Sequence, residues 1–75
     1  MEEISKTYSY HKPSPDGLER IIRLRQAFIL LDMRVRDLAP ESRERAIAIT
    51  NIEQAAMWAI KSVLYNDPKS VVVVE

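Results

Sequence analysis

Apolar side chains recur at helical spacing through two stretches of this chain. In the first, Ile21, Leu24, Phe28, Leu31, Val35 and Leu38 follow one another at intervals of 3-4-3-4-3. That rhythm lines one side of an α-helix and suits coiled-coil-like packing against a second helix. In the second, Ala48, Ile49, Ile52, Ala55, Ala56, Ala59, Ile60 and Val63 form a face of mostly small residues that permits close approach. The punctuation between the stretches agrees. In Ser14-Pro15-Asp16-Gly17, Ser14 or Asp16 can accept from orphan amides, Pro15 suits a first turn, and Glu19 stands three residues after Asp16. Pro40 disfavours a helical Ala39, and Asn66-Asp67-Pro68-Lys69 is a stop. One helix is predicted from about Asp16 to Leu38 and another from Pro40 or Glu41 to about Tyr65.

A short link between two long helices makes an antiparallel hairpin. The predicted fold class is therefore all-α: an arm over 1–13, a helical hairpin over 14–66 and a tail over 67–75. In the tail, Val71-Val72-Val73-Val74 is β-branched, either an edge strand pairing between subunits or unstructured. Ile22, Ile29, Leu30 and Met33 lie outside the first seam, and a lone hairpin covers only one face. A second exposed apolar face marks an interface.

Size sharpens that point. A chain of 75 residues buries only about 60 % of its unfolded surface, so a monomeric core is marginal. Disulfides are excluded by the absence of Cys, a composition that fits a reducing compartment, and His11 is the only imidazole, so no metal is expected. Self-association is the staple left, and a homo-oligomer is expected.

The 11 basic and 11 acidic residues cancel, whereas general nucleic-acid and anionic-membrane binders carry a basic excess. Seven of the basic residues are Arg, whose planar fork suits phosphate and carboxylate. Met1-Glu2-Glu3 is acidic where a secretory leader would be basic, and eight charges break the stretch Leu18–Leu38. The expectation is a cytoplasmic protein with no membrane partner.

Catalytic chemistry finds little footing. There is no thiol, no nucleophile placed beside His11, no metal-ligand spacing among the acidic residues, and Gly17 alone cannot build a phosphate loop. No enzyme activity and no cofactor are expected. A small phosphorylated ligand fits better: Tyr8 and Tyr10 can stack on a purine, and Lys12 and Arg25 can meet phosphate. Arg25 and Asp32, seven residues apart, either pair with each other or line a polar cavity between subunits. A thin hairpin encloses little volume alone, so such a pocket would form between chains.

The string Arg43-Glu44-Arg45-Ala46-Ile47-Ala48-Ile49-Thr50-Asn51-Ile52-Glu53-Gln54-Ala55-Ala56-Met57-Trp58-Ala59-Ile60-Lys61 resembles the signature of the phage helical-hairpin sponges. Those are small proteins that sequester the cyclic-nucleotide alarms of the bacterial CBASS and Thoeris defences. Arg43 precedes Thr50 by seven residues, while Met57 follows it by seven and Lys61 by eleven; Tyr10 stands fifteen before Arg25, as in the family. The resemblance implies a homo-oligomer, typically a hexamer, that holds cyclic di- or trinucleotides, or cyclic ADP-ribose-type signals, intact inside the infected bacterial cell. It implies that Tyr10 stacks on a base and that Arg25 meets phosphate where the family has Lys. It also implies a second pocket for cyclic trinucleotides, with Lys61 as its basic residue and Thr50 beside it. Ala27 stands where some members carry Thr, a departure that bears on that pocket. The expected ligand-binding set is Tyr8, Tyr10, His11, Lys12, Arg25, Arg43, Thr50 and Lys61. The alternatives are a structural or adaptor oligomer and a DNA-binding regulator using the exposed arginines.

Overall fold

Each helix begins where a serine caps it. Ser14 is extended (φ −67°, ψ 167°), and its Oγ accepts from the Gly17 amide at 3.1 Å. Pro15 takes the first helical position, where a missing N–H costs nothing. Ser42 does the same for the second helix, accepting from the Arg45 amide at 3.1 Å. Of the two acceptors expected at the first start, Ser14 is the cap, and Asp16 instead pairs with Arg20 at 3.1 Å. The second helix starts at Arg43 rather than Pro40 or Glu41, because Ser42 supplies the cap there.

The computed structural model describes residues 10–69 and 71–73, with backbone alone at 10, 11 and 71–73. The elements are β1 (Tyr10–Lys12), α1 (Pro15–Leu38), α2 (Arg43–Asn66) and β2 (Val71–Val73). Each helix has 24 residues, about 36 Å at 1.5 Å per residue, which accounts for the longest dimension of 45 Å. The turn between them is closed by Arg45, whose guanidinium donates to the carbonyls of Arg36 (3.1 Å) and Ala39 (3.3 Å). Those carbonyls would otherwise be orphans of the helix end.

The hairpin is as the periodicity predicts, with one shift of register. Among the described residues, Ile21 and Ile49 are the buried apolar side chains, flanked by half-buried Leu24, Phe28 and Val35 on α1 and Ile52, Ala56, Ile60 and Val63 on α2. Leu31 and Leu38, counted into the seam, are 47 % and 76 % exposed, and Ala55 is exposed as well. A strict 3-4 repeat drifts by about 20° per heptad on a straight helix, so the contact line leaves Leu31 and passes Asp32, which is half-covered. Leu38 stands at the turn, beyond the start of α2. Asp32 pairs with Arg36 at 2.6 Å rather than with Arg25, because four residues, not seven, bring side chains together on a helix.

The all-α expectation needs one addition. β1 and β2 form a short antiparallel ribbon in which Tyr10 faces Val73, His11 faces Val72 and Lys12 faces Val71. The valine run finds its partner in its own chain's arm, since both strands leave the same end of the hairpin. Val74 lies outside the described residues.

Candidate functional site

The free end of the hairpin is held by a polar clasp. Asp67, just past α2, accepts from the Ser14 hydroxyl at 2.7 Å and the Ser14 amide at 3.1 Å through one oxygen, and from the Lys69 amide at 2.9 Å through the other. A carboxylate here also meets the positive end of the α1 dipole. The hydroxyl of Ser14 holds the Asp67 carboxyl below its ordinary range, helped by the Lys69 amide, the Ser14 amide and the charge of Arg20, against a smaller upward push from partial burial. Gly17 permits this approach, since a Cβ there would collide with the Asp67 carboxylate. Beside the clasp runs a groove of about 330 Å3, lined by Arg20, Ser62, Asn66 and Lys69 among others.

The expected ligand residues are spread along the rod. Tyr8 lies outside the described residues; Tyr10 and His11 are described by their backbone in β1, and Lys12 ends that strand, exposed. Arg25 is exposed at mid-α1, and Arg43 is the first residue of α2. Thr50 is exposed one heptad further, in the same stripe. Lys61 is half-buried, its ammonium 5.2 Å from the Trp58 ring centre and 5.4 Å from that of Tyr65. Both distances are within reach of cation–π attraction. Helical rise separates Arg43 from Lys61 by about 27 Å, so one chain does not gather them into a single pocket. The grooves at the two ends of the hairpin are lined by other residues.

The arginines fall into two groups. Arg20, Arg23 and Arg36 pair with the carboxylate four residues earlier, and Arg45 closes the turn. Among the described residues, Arg25, Arg34 and Arg43 make no ion pair. Arg25 sits within an apolar stripe, because Leu18, Ile22, Ile29 and Met33 share its side of α1 at helical spacing and are 46 %, 44 %, 59 % and 61 % exposed. Trp58 is 62 % exposed on α2. Sequence reasoning missed the clasp altogether: Asp67 reads locally as a helix stop and Gly17 as a helix start, and no short-range signal connects residues 53 apart.

This is a small helical hairpin that turns apolar stripes outward, together with cations that make no ion pair among the described residues. The chain belongs to the Acb2/Tad1 hairpin family, the phage anti-CBASS and anti-Thoeris sponges; the family model "Acb2/Tad1, hairpin domain" matches residues 2–64, most of its length. The resemblance read from the Arg43–Lys61 string and the Tyr10/Arg25 spacing is thereby borne out. The family is one of binding sponges rather than enzymes, and it supports a general anti-defence role for this chain. No curated protein and no solved structure matches the chain. No helix among the described residues is long and apolar enough to cross a membrane.

Proposed function

We propose that this protein is a phage sponge that binds cyclic-nucleotide immune signals in the infected bacterial cytoplasm and sequesters them without cleaving them. The observation that carries this reading is Arg25, a cation with no carboxylate partner among the described residues, set in the apolar stripe Leu18, Ile22, Ile29 and Met33. A stripe of that kind is covered when a second copy docks. Docking strips water from the guanidinium, and a desolvated charge needs an anionic partner. A phosphodiester supplies one, in a geometry that the guanidinium fork matches.

On this reading the pocket exists only in the homo-oligomer, a hexamer by family precedent. Tyr10, Tyr8, His11 and Lys12 bring the arm to a cyclic dinucleotide held at Arg25. Thr50 and Lys61, with Arg43 at the head of the same stripe, serve a second pocket for cyclic trinucleotides. The three i, i+4 ion pairs consume arginines that a DNA-binding regulator would need. A purely structural oligomer uses the same apolar faces but gives no response to nucleotides.

Thermal melting with a panel of cyclic dinucleotides, cyclic trinucleotides and cyclic ADP-ribose isomers tests the proposal. Ligand at a thousandfold excess over Kd stabilises by about 4 kcal/mol, so the cognate signal raises Tm by several degrees. Heat denaturation then releases it chemically unchanged. No shift with any of the panel at saturation, a hydrolysed product, or a single chain in sedimentation at working concentration each overturns it.

A further inference from the structure

The Ser14–Asp67 clasp ties the start of α1 to the end of α2, and strand β2 lies beyond both helices. Their position gives them a second role. Ser14 is two residues past β1, and Asp67 is four residues before β2. Asp67 takes both the amide and the hydroxyl of Ser14, and the absence of a side chain on Gly17 lets it come that close. The Asp67 oxygen not used by Ser14 accepts from the Lys69 amide and so turns the chain back toward the arm. The two strands then pair residue for residue from Lys12↔Val71 to Tyr10↔Val73.

We propose that the Asp67–Ser14 clasp and β2 are positioning elements for the ligand-gripping arm, holding the backbone at Tyr10–Lys12 in one extended course. This rests on the sponge reading for what the arm grips, but the holding itself does not. A three-residue strand with no partner is a free terminal segment, and ordering it on binding would cost affinity. A ribbon built by the free protein meets that cost during folding, so the arm arrives already extended. The C-terminal strand thus acts on the ligand through the arm.

Two full-length variants test the inference. Asp67→Ala removes the clasp, and Val72→Pro removes a strand amide and disfavours the ribbon while leaving both helices intact. Backbone 15N order parameters at residues 10–12, measured without ligand, are expected to fall from about 0.85 toward 0.6 or below in both variants. Affinity for 3′,3′-cyclic GMP–AMP, or for whichever cyclic dinucleotide the wild type holds, is expected to fall at least tenfold, with sedimentation coefficient and helical circular dichroism unchanged. Binding of a cyclic trinucleotide at Lys61 is expected to stay within twofold, which a general loss of structure would not allow. Unchanged order parameters, or an unchanged dinucleotide affinity, overturns the positioning role. So does loss of affinity together with loss of the oligomer, which would place the effect in assembly. A wild type that binds no cyclic nucleotide overturns the sponge reading alone, and the order parameters then decide whether the clasp holds the arm.

Discussion

The two ends of the hairpin are built on different principles. At the turn, every polar contact is local: Ser42 caps its own helix, and Arg45 reaches carbonyls six and nine residues back. At the free end, Asp67 and Ser14 meet across 53 residues, and the strands behind them pair from opposite termini. The turn needs only its own segment of chain, whereas the free end needs both helices in place. The lesson is one of division of labour. Local chemistry makes the scaffold, and long-range chemistry places the segment expected to meet ligand.

The largest effect that sharpens this contrast is in the core, which the ends share. Ile21→Ala and Ile49→Ala should each cost about 2–5 kcal/mol in urea unfolding. Similar values would show one cooperative hairpin; strongly unequal values would mean that the two ends unfold separately. Next come the caps. Ser42→Ala should cost about 1 kcal/mol. Ser14→Ala should cost about 2 kcal/mol, because the same hydroxyl caps α1 and donates to Asp67. Equal losses from the two serines would break the comparison.

Acid should separate the ends more gently. The folded-state carboxyl of Asp67 lies below its ordinary value, chiefly through the Ser14 hydroxyl. Its contribution is therefore complete above the ordinary aspartate range and disappears as pH falls through the lowered value. The amide signals of Ser14, Gly17 and Lys69 should consequently move in an NMR titration below about pH 4. Asp67→Asn should abolish that transition. The smallest effect on stability is that of Gly17→Ala. Helix propensity favours Ala by up to about 1 kcal/mol, but the new methyl displaces the Asp67 carboxylate. Unfolding free energy should hardly change, while the arm loses order, and an arm that stays ordered would show that the clasp tolerates a detour.

How much of this could be read in advance follows the same division. Ser14, Ser42, Pro15 and the Asn66–Asp67 stop announce the helices because capping acts within a turn of chain. The seam was legible at Ile21, Leu24, Phe28 and Val35 but not at Leu31 and Leu38, since a counted 3-4 rhythm ignores the accumulated twist of a straight helix. The valine run shows strand propensity but not its partner, which sits at the other terminus. The cations expected at the site are legible by type at Arg25, Arg43 and Lys61. Their dispersal along a rod follows from helical rise, but which of them share a site does not, because sequence spacing says nothing of contacts beyond the helix.

Lys61 resting between Trp58 and Tyr65 carries a practical corollary. The protein has a single indole, and a cation lies against it. Any anion that draws the ammonium away alters the surroundings of that lone indole, so selectively excited tryptophan emission reports occupancy of this face directly, with no label attached.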